Sequence, residues 1–155
     1  MKKHKIAWML LVATLFPLAM RAQDRQRAER INAQRVAFIT EKLQLTPEEA
    51  QRFWPVYNEY RKKRMKLEEE KARLVRSYSS SGGSLTDEEA EKLGDRYVAL
   101  EKQQADLLVE YHQKFKKVLP PKKVLMLYKA EKQFTAYLLR QIRDRQRRDA
   151  PRSRR

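Results

Sequence analysis

The sequence predicts an all-α protein of four helices. Three observations carry that reading. Charged residues make up 36% of the 155-residue chain and glycine contributes only 3, so helix formers are abundant and turn residues scarce. Two near-identical helix-start segments, LTPEEA at 45–50 and LTDEEA at 85–90, stand forty positions apart. Apolar residues then recur at steps of three and four, most regularly from Ala90 to Val118.

Residues 1–22 read as a Sec signal peptide. Lys2, Lys3 and Lys5 form a basic start, Ile6–Met20 an apolar run, and Ala22 suits the position before a cut. The run is short for a membrane anchor. Export into an oxidising space fits a chain that uses no disulfide, since it holds no cysteine. Removing Lys2, Lys3, Lys5 and Arg21 takes the net charge from +16 to +12. Export argues against nucleic acid as the anionic partner. Envelope lipid head groups and acidic stretches of polypeptide remain.

The first helix spans about 24–44, with Ile31, Phe38, Ile39 and Leu43 on one side and Asp24 as its cap. Thr46 opens the second. Threonine at the cap, Pro47 at the first helical position and Glu49 three residues after the cap make a capping box. Ala50, Phe53, Tyr57, Tyr60, Leu67 and Leu74 then follow a seven-residue pattern, with Arg64 and Lys71 in its gaps. Pro55 removes a ladder hydrogen bond, so a bend is expected near 51–55. This helix is expected to end near Arg76, ahead of a flexible Ser77–Ser84 linker.

Thr86 and Glu89 form the second capping box, and Leu85 repeats Leu45. The third helix carries Leu93, Tyr97, Leu100, Gln104, Leu107, Tyr111, Phe115 and Val118 on one stripe. Leu119-Pro120-Pro121 ends it, and Pro121 suits the first turn of a fourth helix. The helical domain is expected over 23–142, followed by a disordered basic tail over 143–155.

No catalytic constellation is present, and an enzyme is not expected. His112 is the sole histidine after the leader, and no second ligand stands at metal spacing. Neither metal nor cofactor is expected. The aromatics Phe53, Trp54, Tyr57 and Tyr60 cover more than one stripe of their helix. So short a chain should not bury them all, which leaves some for a partner. Arg61, Lys62, Lys63 and Arg64 follow directly. Together these eight residues are the candidate partner-binding stretch, a basic patch beside apolar surface.

The leader, the repeated LTPEE and LTDEE, and the basic helical chain resemble the Spy/CpxP periplasmic proteins, marked by a repeated LTxxQ motif. FWPVYNEY, after the first copy, resembles a variant common in Bacteroidetes and often labelled a sensor of extracytoplasmic-function sigma factors. Glu49 and Glu89 stand where that family has Gln, and a capping box accepts either. The resemblance implies a bent antiparallel hairpin, a cradle-like homodimer and ATP-independent binding of unfolded envelope proteins. An envelope-stress regulator docking on a membrane sensor or anti-sigma factor is the alternative. A weak contact of the basic tail with anionic envelope lipids is a further expectation.

Overall fold

Thr46 and Thr86 fix where the two central helices begin. Glu49 N–H donates to Thr46 Oγ1 at 3.2 Å, and Thr46 N–H donates to the Glu49 carboxylate at 3.0 Å. At the second start, Glu89 N–H donates to Thr86 Oγ1 at 3.3 Å and Thr86 N–H to the Glu89 carboxylate at 2.9 Å. Each box satisfies two backbone donors that the helix itself leaves without an acceptor.

The computed structural model describes residues 23, 25–81 and 84–149. The expected leader (1–22), the Asp24 cap, Gly82 and Gly83 of the linker, and residues 150–155 of the basic tail lie outside them. Four helices and no strand occur among the described residues. These are α1 (25–43), α2 (Pro47–Ser80), α3 (Asp87–Val118) and α4 (Pro121–Asp149). None of these helices is long and apolar enough to cross a membrane.

The breaks between helices have local causes. Gln44 stops α1 in the left-handed region, at φ 47°. Leu119 precedes a proline, whose ring disfavours helical backbone at the residue before it. It is accordingly extended, at φ −133° and ψ 148°. The Pro120 carbonyl then accepts from Lys123 and Val124 N–H at 2.9 and 3.1 Å, which launches α4 with Pro121 in its first turn. α2 runs unbroken through Pro55.

Two helices outrun their expected ends. α2 passes Arg76 and takes in Ser77–Ser80, so the linker is shorter than its composition suggests. The serines help to hold that last turn: Ser79 Oγ donates to Val75 O at 3.0 Å and Ser81 Oγ to Tyr78 O at 2.7 Å. α4 continues from 143 to Asp149, where a disordered tail was expected. Arginine and glutamine are good helix formers, and extending a helix adds one hydrogen bond per residue without a new nucleus.

The chain forms two compact units. One is Gln44–Tyr128, which holds α2, α3 and the first turns of α4. Its centre is aromatic. Phe53, Tyr57, Tyr111 and Phe115 are almost wholly buried, with Tyr60 close behind. The Phe53 and Phe115 ring centroids lie 5.9 Å apart, and those of Tyr60 and Tyr111 5.3 Å apart. Further along α2, Glu70 meets Arg96 at 3.0 Å and Lys71 meets Glu101. Partners on α3 thus fall in number as those on α2 rise, so the two helices pack antiparallel. Toward Ser81 their seam turns polar, with Lys71 Nζ also donating to Gln104 at 3.2 Å.

The other unit joins the residues up to Leu43 with those from Lys129 onward. There Arg35 pairs with Glu131 at 2.9 Å and lies 4.4 Å from the centre of the Phe134 ring. Phe38 stands 5.5 Å from Phe134 and 6.2 Å from Tyr137.

Thr46→Ala removes one cap acceptor and should cost about 1 kcal/mol. Phe115→Ala empties a fully buried ring site and should cost about 3–5 kcal/mol. Chemical denaturation monitored by circular dichroism checks both. A Thr46→Ala midpoint equal to that of the parent would show that the cap contributes nothing.

Candidate functional site

Successive side chains on a helix point about 100° apart, so a run of four residues surrounds the helix instead of forming a patch. The run Arg61–Arg64 shows the effect. Arg61 is half-buried and its Nη2 reaches Met65 Sδ at 3.4 Å. Lys62 points outward and is exposed. Lys63 turns the other way, pairs with Glu59 at 3.2 Å and lies 5.2 Å from the centre of the Tyr111 ring. Arg64 occupies a seam position and pairs with Glu68 at 2.8 Å. The four cations therefore serve four different surfaces.

The aromatic half of the expected partner-binding stretch is largely internal. Phe53, Tyr57 and Tyr60 are 0, 1 and 8% exposed, so they are core and not a docking surface. α3 supplies the missing cover through Tyr111 and Phe115, which the burial argument from chain length underrated. Trp54 is half-buried, its ring 5.0 Å from Phe53 and 5.3 Å from Tyr57.

On one flank of the α2–α3 pair, Leu67 and Leu107 form the floor of a shallow depression, with Lys63, Lys66, Glu70, Gln103, Asp106 and Glu110 around it. The opposite flank follows from the same helical register. Met65, Ala72 and Val75 of α2 fall there, with Val98, Ala105 and Leu108 of α3. All six are exposed; Val98 stands at 66%, Met65 at 55%, Val75 at 48% and Leu108 at 40%. Arg61, Glu68 and Glu101 share the same register, so charge interrupts this strip on both helices. At one end it meets the first turns of α4, where His112 Nδ1 and Tyr128 Oη stand 2.7 Å apart. Burial pushes the Tyr128 hydroxyl up from its ordinary value.

The sequence contained this strip, at positions one step outside the seam. It passed unnoticed because the neighbouring stripe of large aromatics dominates the same periodicity.

Glu49 has a second partner beyond its cap. Lys123 Nζ of α4 binds its carboxylate and donates to the Gln44 carbonyl at 2.7 Å. The lysine, then the Thr46 N–H, holds the Glu49 carboxyl below its ordinary value of 4.5. Glu89 bonds only Thr86 among the described residues. The first copy thus joins the starts of α2 and α4, while the second is a local cap. Among the described residues, no group of three or more histidine, aspartate or glutamate side chains is placed to hold a metal ion. Comparison with protein families, curated proteins and solved structures finds no match.

Glu49→Gln keeps the capping geometry but loses the charge that faces Lys123, so it should destabilise more than Glu89→Gln. The sign with pH follows from the lowered carboxyl. Its contribution is complete above the unfolded value near 4.5 and is lost as pH falls through the lower folded value. Denaturation midpoints of the two variants should therefore differ at neutral pH and converge below that range. Equal midpoints at neutral pH would mean that the Lys123 contact adds nothing.

Proposed function

We propose that this chain is an exported, ATP-independent chaperone-like protein that holds unfolded envelope proteins loosely. The observation that carries the reading is the exposed row of apolar side chains Met65, Ala72 and Val75 with Val98, Ala105 and Leu108, interspersed with charge of both signs. An apolar strip of this kind takes up apolar client segments by burial of area. The net charge of +12 that remains after the leader is removed raises the encounter rate with acidic ones. The side chains are short or flexible, and Met65 adapts to varied shapes, which suits many weak clients better than one tight partner. The capped repeat LTPEE and LTDEE and its resemblance to the Spy/CpxP proteins support the same reading. In it, the protomer is a bent antiparallel hairpin and two protomers pair as a cradle. The signal peptide delivers the chain to the periplasm.

The test is suppression of aggregation of a chemically denatured model protein by purified residues 23–155. Suppression should appear at or near equimolar ratio and weaken with salt, since screening removes the steering. Val98→Glu combined with Leu108→Glu alters exposed positions only and should abolish suppression with the helical content intact. No suppression by the parent chain at several-fold excess would sink the proposal. Retention of a single stoichiometric envelope partner would instead favour a regulator docking on a membrane sensor or anti-sigma factor.

A further inference from the structure

The unit formed by α1 and the later part of α4 holds a groove that the reading above leaves unused. It has a volume of about 410 Å³. From α1 it is lined by Arg27, Arg30, Ile31 and Gln34, and from α4 by Leu138, Gln141, Ile142 and Arg145, with Gln23 and Gln26 at its end. The spacing is that of one face on each helix, with steps of three and four. Its chemistry is one-sided: three guanidiniums, four amides and three aliphatic side chains, with no carboxylate among the described lining residues. Among the described residues, no carboxylate pairs with Arg27, Arg30 or Arg145. Arg35 and Lys71, by contrast, meet Glu131 and Glu101.

Three unpaired guanidiniums facing one groove repel one another and favour a multiply accepting anion. A phosphate offers that, because its oxygens match the guanidinium fork. The amides of Gln34 and Gln141 add neutral donors. The aliphatic residues decide between a soluble phosphate and a lipid. Ile31, Leu138 and Ile142 give the groove an apolar wall, of which Ile142 is 44% exposed. A free phosphate leaves such surface in water, whereas glycerol and the first methylenes of an acyl chain cover it. Arg140, Arg143, Arg147 and Arg148, all exposed, add positive charge to the other faces of the same helix.

We infer that the α1–α4 groove is a docking site for the phosphate head groups of an anionic phospholipid surface. The inference does not depend on the chaperone reading.

Co-sedimentation of the full chain with phosphatidylglycerol-containing vesicles, against pure phosphatidylcholine vesicles, tests it at about 0.1 M salt. Binding to the anionic vesicles alone is expected. Arg27→Gln, Arg30→Gln and Arg145→Gln combined should weaken it at least about tenfold more than Arg143→Gln, Arg147→Gln and Arg148→Gln combined, which removes equal charge outside the groove. Ile142→Ser keeps every cation and should also weaken binding, as a lipid-contacting wall requires. Circular dichroism confirms that each variant keeps the parent helix content, as expected for exposed, unpaired positions. Equal losses in the two triple variants, or no binding by the parent chain, would overturn the site. Full displacement by millimolar glycerol 3-phosphate would overturn the lipid assignment in favour of a soluble phosphate ester.

Discussion

The stacking of Phe53, Tyr57 and Tyr60 against Tyr111 and Phe115 is the contact on which the central helix pair depends. Two helices of this length have a thin shared interface, and most of α2 and α3 is wet on its outer faces. Aromatic side chains bury more area per position than aliphatic ones and fix ring geometry as well. Concentrated at one end of the pair, they settle the register between α2 and α3. That register decides which side chains lie on each flank. The depression on one flank and the exposed apolar side chains on the other are both consequences of where those rings meet.

Helix starts were the most legible part of the fold. Both boxes occupy the threonine and glutamate positions from which their hydrogen bonds follow, because a cap depends on residues three apart and on little else. Helix ends were less legible. Ser77–Ser80 and Arg143–Asp149 look like linker and tail by composition, yet helix propagates through them because each hydrogen bond after the nucleus is cheap. The partner-binding stretch was misplaced for a related reason. Adjacency in sequence suggested a patch at Arg61–Arg64, while adjacency on a helix follows steps of three and four. Phe53, Tyr57 and Tyr60 could not be sorted into core and partner surface because their cover comes from α3, more than fifty positions later. The groove of Arg27, Arg30 and Arg145 was illegible for the same cause, since its two walls lie at opposite ends of the chain.

The two repeats also diverge in use. A glutamate and a glutamine serve a capping box alike, but only the glutamate carries charge for Lys123. The glutamate charge therefore has a structural use at Glu49 and none among the described residues at Glu89. One repeated signal has been drawn into tertiary structure and the other has stayed local.

The seam between α2 and α3 changes character along its length, and this gives the pair a direction. At the α4 end, parting the helices exposes five stacked rings to water. At the Ser81 end it exposes Lys71, Gln104, Glu101 and Arg96, all of which water solvates readily, and Tyr78 is already 59% exposed there. The pair is built like a pair of tongs, hinged by aromatics and tipped with polar contacts. The apolar strip lies along its arms, so a small splay at the tips widens the very surface that a client would meet.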